Sequence, residues 1–121
     1  MISPNLIILY VDDPLKSSEF YRVLLGQEPV GFPSYQCFEL ENGLNLGLWS
    51  TKAKNFVSGG EGHRTELAFQ VESEDKVREL YEQWKSNDVK IEQELEVAVF
   101  GLTFVAVDPD GHRIRVNLSD S

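Results

Sequence analysis

Apolar and polar positions alternate along this chain in two rhythms, one of period two and one near 3.6, and the switches between them mark its elements. Asn5 to Val11 is apolar with few interruptions and predicts a strand covered on both faces. Asp12 and Asp13 then offer N-cap oxygens, and Pro14 suits the first helical position. Ser17, Phe20, Tyr21, Leu24 and Leu25 recur at i, i+3, i+4, i+7 and i+8, a helical stripe that Gly26 closes at the C′ position. Three strands are expected next: a short one near Val30, one over Tyr35–Leu40 and one over Leu44–Ser50. The last two are joined through the hairpin dipeptide Asn42-Gly43.

The second half repeats that order. Arg64 to Val71 predicts a strand. Ser73 caps a helix whose first turn carries Glu74 and Asp75, matched to the helix dipole. Val77, Leu80, Tyr81 and Trp84 form its apolar stripe, with Asn87 as a left-handed stop. Strands follow near Val89–Leu95, Gly101–Val107 and His112–Leu118, and Asp108-Pro109-Asp110-Gly111 turns the last hairpin. The fold class is therefore α+β, a single domain over 1–121 written as two βαβββ modules, 1–50 and 63–121, with a linker over 51–62. Gly59-Gly60-Glu61-Gly62 in that linker is a flexible connector. It lacks the following Lys-Ser/Thr of a phosphate loop and does not open a helix.

Length and charge narrow the picture. At 121 residues, roughly two thirds of the unfolded surface is buried on folding, so a core forms without disulfide or metal staples. Eleven Lys and Arg against twenty Asp and Glu leave a net charge of −9. That balance offers no basic footprint for nucleic acid and disfavours an anionic membrane surface. The single cysteine, Cys37, excludes an intramolecular disulfide and fits a reducing compartment. Met1–Asn5 has no positive n-region, and no apolar run approaches the roughly 20 residues of a membrane span, so a cytoplasmic protein is expected.

Two motifs carry a resemblance. Val11-Asp12-Asp13-Pro14-Leu15-Lys16-Ser17, followed by Phe20-Tyr21 and Leu25-Gly26, is similar to the opening of the vicinal oxygen chelate superfamily. This superfamily includes glyoxalase I, bleomycin-resistance proteins and extradiol dioxygenases. Asp108-Pro109-Asp110-Gly111-His112-Arg113-Ile114 resembles its closing hairpin. The resemblance implies sheets curled around a cavity, usually completed in a homodimer. Within the superfamily, several stretches look like those of phenazine-antibiotic resistance proteins, which sequester a planar tricyclic drug. They are Asn5-Leu6 through Tyr10-Val11, Glu28-Pro29-Val30, Leu48-Trp49-Ser50 and Val99-Phe100-Gly101-Leu102-Thr103-Phe104.

The superfamily's enzymes hold a divalent ion on four His, Glu or Gln side chains. Mapped by offset from the motifs, those positions fall on Leu6, on or next to Gly47, on Glu66 and on Arg115. An alkyl chain, a glycine and a permanent cation are not metal ligands. The resemblance with these departures implies no catalytic metal and no cofactor.

Strand parity indicates what stands there instead. Arg113, Arg115 and Asn117 share one face of the last strand, and Glu66, Ala68 and Gln70 share the corresponding face of the fifth. An ion pair between Glu66 and Arg115 is expected, either structural or an anchor for ligand. In the first module Leu6, Ile8 and Tyr10 share the cavity face with Asn45, Gly47 and Trp49, and with Tyr35, Cys37 and Glu39. Gly47 is expected to leave a hole beside Trp49 against which a flat molecule could lie. Phe56, Phe100 and Phe104 are candidate lid or wall aromatics, and Trp84 is expected in the core.

The remaining reactive side chains point to less. His112 belongs to the turn of the last hairpin and is expected to be exposed, and His63 opens the fifth strand, from where it could reach the cavity mouth. Nothing in the spacing makes Cys37 and His63 a nucleophilic pair, and no serine sits in a nucleophile elbow. Glu92, Glu94 and Glu96 are expected on one solvated strand face.

The expected function is a metal-independent binding protein rather than an enzyme. It would sequester a planar aromatic, phenazine-like antibiotic in a cavity lined by Trp49, Tyr10, Tyr35, Leu6, Ile8, Gly47, Glu66, Arg115 and Phe104. A homodimer is expected, with no nucleic-acid or membrane partner. The rivals are a metalloenzyme with the superfamily's lyase or dioxygenase chemistry, and metal-free catalysis with Glu66 as general base.

Overall fold

The computed structural model describes residues 4–53 and 65–119. The first half forms β1 (Leu6–Val11), α1 (Pro14–Leu25), β2 (Val30–Phe32), β3 (Tyr35–Glu39) and β4 (Asn45–Ser50). The second forms β5 (Glu66–Val71), α2 (Glu74–Ser86), β6 (Lys90–Ala98), β7 (Gly101–Val107) and β8 (Arg113–Leu118). The order βαβββ is thus written twice, in two compact units, Met1–Gly60 and Glu61–Ser121. The Gly59–Gly62 connector, Phe56 and His63 lie outside the described residues. Among the described residues no helix is long and apolar enough to cross a membrane.

In the first unit, the Asp13 carboxylate accepts the Leu15 and Lys16 N–H groups at the start of α1, where Pro14 has no N–H to satisfy. Gly26 ends the helix at φ 66°, its N–H donating to the Arg22 carbonyl. The buried line of α1 is Pro14, Ser17, Ser18 and Tyr21, while Phe20, Leu24 and Leu25 are half-buried. Ser17 and Tyr21 of the expected stripe are thus buried, and the line extends one turn back to Pro14 and sideways to Ser18. Ser18 is tolerated inside because its hydroxyl donates to the Leu15 carbonyl at 2.8 Å. The sheet order is β1-β4-β3-β2, with β1 and β4 parallel and the other neighbours antiparallel. Leu9, Val11, Phe38, Leu46 and Leu48 are buried with Tyr21, whose ring stands 6.5 Å from that of Phe38.

The second unit repeats the topology as β5-β8-β7-β6. Ser73 caps α2 by accepting the Lys76 N–H at 3.1 Å. The left-handed residue after α2 is Asp88, at φ 63°, whereas Asn87, the expected stop, has φ −100°. Trp84 is 1% exposed, with Phe69 and Phe104 edge-on at 5.5 and 5.4 Å. Each such pair adds about 1 kcal/mol beyond the area it buries.

Phe104 corrects one expectation. It stands opposite Val116 in the β7–β8 ladder, and opposed residues share a face. It is fully buried between Trp84 and Tyr81, so it is core and not a wall of any cleft. The acidic run of β6 is solvated as expected: Glu92, Glu94 and Glu96 are exposed, with half-buried Ile91, Gln93 and Leu95 between them. Register shifts between Ile91 and Gln93 and between Gln93 and Glu96 interrupt the pairing with β7 without changing that alternation. Glu92 reaches Arg113, Glu94 accepts the Tyr81 hydroxyl, and Glu96 accepts from Gln93, all at the exposed edge of the unit.

Candidate functional site

The two faces turned away from the helices differ in chemistry. In the first unit the register sets Tyr10 opposite Trp49, Trp49 opposite Tyr35, and Tyr35 opposite Phe32. Four aromatic residues therefore form one row across all four strands. The Tyr10 and Trp49 rings meet edge-on, centroids 6.4 Å apart. The neighbouring row is Ile8, Gly47, Cys37 and Val30, and beyond it stand Leu6, Asn45 and Glu39.

Tyr10 is 44% and Phe32 62% exposed, and Leu6, Ile8 and Val30 are exposed as well. That is a concentration of apolar area few soluble chains leave uncovered without a purpose. Ile8, Phe32, Ser34, Tyr35 and Trp49 line an open cleft of about 310 Å³. Gln36, on the opposite face of β3, donates to the Phe32 carbonyl at 2.9 Å and ties the short strand β2 in place. Burial, and secondarily a hydrogen bond with the Cys37 thiol, push the Tyr35 phenol above its ordinary range, so it is neutral near pH 7.

Gly47 is buried, but it does not leave the open hole expected beside Trp49: the Tyr35 ring lies over it. Phe32 and Ser34 were not among the expected site residues. A strand of three residues is too short for its alternation to be distinctive, although Val30-Gly31-Phe32 does alternate.

The second unit presents charge instead. Arg115 donates from Nε to Glu66 Oε1 at 2.9 Å and from Nη2 to Oε2 at 3.2 Å, a bidentate pair of the kind parity predicted. Its Nη1 donates to Thr103 Oγ1 at 3.1 Å, and that hydroxyl donates to the Val116 carbonyl at 2.7 Å. The guanidinium also stands 5.5 Å from the centre of the Phe100 ring. Arg113 places Nε 3.2 Å from Glu66 Oε2, an ion pair without the alignment of a hydrogen bond, and Nη1 3.3 Å from Glu92.

The hydrogen bonds from Arg115 outweigh burial and hold the Glu66 carboxyl below its usual range. A general base needs the opposite shift, so this environment counts against Glu66 in that role.

The metal positions of the superfamily do not fit an ion here. In the first unit they hold the Leu6 alkyl chain and the covered backbone of Gly47. In the second unit the one carboxylate, Glu66, is already held by two guanidinium groups. Among the described residues no three His, Cys, Asp or Glu side chains are grouped to hold a metal.

His112 is more enclosed than expected of a turn residue. Its Nδ1 lies 2.8 Å from the buried Asp108 carboxylate, which also accepts the Asp110 and His112 N–H groups. The hydrogen bond with Asp108 raises its pKa against the opposing effect of burial.

Residues 3–116 match the family model of the Glyoxalase/Bleomycin resistance protein/Dioxygenase superfamily, and the chain belongs to that superfamily. Among its relatives is the phenazine antibiotic resistance protein EhpR of Enterobacter agglomerans. It is 33% identical over 125 residues, covering 95% of this chain and 91% of that one. The solution structure of protein ATC0852 from Agrobacterium tumefaciens is 42% identical, covers both chains fully and superposes with a TM-score of 0.76. A glyoxalase-related enzyme from Fulvimarina pelagi, at 22% identity, shares the fold, with a TM-score of 0.80 over 98% of this chain and 89% of that one.

Proposed function

We propose that this protein binds planar aromatic small molecules without transforming them, and that its ligand is a phenazine-like antibiotic withheld from its target. The observation that carries the reading is the aromatic row Tyr10–Trp49–Tyr35–Phe32 with its adjoining cleft. Offset or edge-on contacts with such rings contribute about 1 kcal/mol each beyond area, and two or three of them suit a flat, fused-ring molecule. Similarity to a phenazine antibiotic resistance protein supports the same ligand class.

Leu6 and Ile8 extend the apolar surface, Gly47 acts beneath Tyr35, and the Glu66–Arg115 pair acts as a structural tie between β5 and β8. Protection follows from mass action, since a drug held by excess binder is not free to act. The exposed apolar side chains Leu6, Val30 and Phe32 support a homodimer. The single cysteine supports work in the reducing cytoplasm.

Titration with phenazine tests the reading. Trp fluorescence should be quenched with a Kd in the micromolar range or tighter, and Trp49→Phe should remove the response, because Trp84 is enclosed in the core. Absence of quenching by any fused-ring aromatic would overturn it. Stoichiometric Ni, Zn, Fe or Mn in the purified protein would favour the metalloenzyme instead.

A further inference from the structure

Gly47 lies between Ile8 and Cys37 in the row next to Trp49. A Cβ built on it would stand 2.5 Å from Tyr35 Oη, 2.8 Å from Cε1 and 3.0 Å from Cζ. The first two are closer than a real Cβ approaches any atom and the third is unusually tight, so the Tyr35 ring rests directly on the bare β4 backbone. Tyr35 begins in the neighbouring row, opposite Trp49, and its ring reaches diagonally into the next, a reach ordinary for an aromatic side chain on a sheet. Its hydroxyl finds the Cys37 thiol at the end of that reach. Glycine and tyrosine thus form one device, a notch and the ring that fills it, in the floor of the cleft bounded by Ile8, Phe32 and Trp49.

We propose that Tyr35 is the specificity-determining residue of this cleft: its ring, seated over Gly47, fixes how deeply a planar ligand slides along Trp49 and so limits the number of fused rings accepted. The proposal rests on the aromatic-binding reading above and deepens it. With the ring in place, a ligand stacks over a level floor. Without it, a void the size of a phenol opens between Ile8 and Cys37, large enough for one more fused ring.

Two substitutions move the ring in opposite ways. Tyr35→Ala empties the notch. Gly47→Ala places a methyl where the ring lies, and the displaced atoms are the far end of a flexible side chain, so the ring yields and enters the cleft.

Phenazine, with three fused rings, and benzo[a]phenazine, with four, are titrated into the wild type, Tyr35→Ala, Tyr35→Phe and Gly47→Ala, with Trp49 fluorescence as the signal and far-UV circular dichroism as the check on folding. Tyr35→Ala should shift the affinity ratio toward the four-ring compound by about tenfold. Tyr35→Phe should hold the wild-type ratio, and Gly47→Ala should weaken both compounds by about tenfold. Cys37, the chain's one cysteine, reports the ring without any ligand. Its reaction with Ellman's reagent should be about fivefold faster in Gly47→Ala and Tyr35→Ala than in the wild type, because the covering ring has moved.

An unchanged ratio in Tyr35→Ala, with both compounds bound, overturns the role of Tyr35 and leaves the functional reading standing. A wild-type labelling rate in Gly47→Ala overturns the seat itself. Failure of both compounds to quench Trp49 in every protein overturns the functional reading, and the selectivity role with it.

Discussion

Replacing Arg115 by methionine keeps most of the side chain's length and removes its charge. Three hydrogen bonds disappear, two to Glu66 and one to Thr103 Oγ1. The two charged side chains are 17% and 33% exposed. A fully exposed ion pair contributes about 0–1 kcal/mol, and stripping one partner from a fully buried pair costs about 3–5 kcal/mol. Arg113 still stands 3.2 Å from Glu66 and cushions the loss. The expected cost therefore lies between those limits, about 1.5 kcal/mol, or roughly 5 °C in Tm for a chain of this size.

The sign of the pH dependence follows from Glu66. Its folded pKa is depressed below the ordinary 4.5. The pair's contribution is therefore complete above that value and is lost as pH falls through the folded pKa. A double-mutant cycle of Glu66→Gln and Arg115→Met, followed by urea unfolding, should give a coupling of about 1 kcal/mol at neutral pH that shrinks as pH is lowered below 4.5. A coupling indistinguishable from zero at neutral pH, or one that grows on acidification, would refute the assignment of this pair as the tie between β5 and β8.

Two further outcomes are expected. His112 has a raised folded pKa through its hydrogen bond with Asp108, so the stability it adds is complete below pH 6.5 and is lost as pH rises through the folded value. The gap in melting temperature between wild type and His112→Gln should be larger at pH 6 than at pH 9, and an NMR titration of His112 should have its midpoint above 6.5. Gly26→Ala puts a methyl group at φ 66° with nothing within 4 Å, so only backbone strain is felt. Chemical denaturation should show a loss of about 1–2 kcal/mol, and a much larger loss would mean that the helix end is packed more tightly than the structure has it.

Much of the architecture was legible wherever one residue type has one physical use. Asp13-Pro14 could only begin a helix, Gly26 could end one without steric cost, and Trp84 on an amphipathic stripe had nowhere to go but inward. Alternation in β5 and β8 was sharp enough to bring Glu66 and Arg115 together before any coordinates. It failed in β7, where Leu102, Thr103, Phe104 and Val105 are all buried, because a strand covered on both faces carries no alternating signal. Phe104 was therefore assigned to the wrong side. The acidic stretch of β6 is exposed as its spacing implies, whereas the register shifts that aim Glu92 at Arg113 leave no mark on that spacing.

The candidate site was half legible. Tyr10, Tyr35 and Trp49 could be placed on one face by parity, but their alignment into a single row depends on register, and Phe32 joins it only through the pairing of a three-residue strand. The occupant of the Gly47 notch was out of reach. Parity states which face a side chain leaves from, not which neighbouring row its ring leans into.

The pairing of the first and last strands in each unit has a consequence in time. Leu6 finds Asn45, and Glu66 finds Arg113, only after every intervening element has been made. Closing such long loops is the slow, entropically costly step of folding. Trp49 and Arg115 both lie on the late-arriving strands. A chain emerging from the ribosome thus has no completed unit until its closing strand appears, and neither the aromatic row nor the charged pair exists in any partly paired form. The aromatic row and the charged pair arrive with the last hydrogen-bonded strand of each unit, in the same cooperative event that finishes its core.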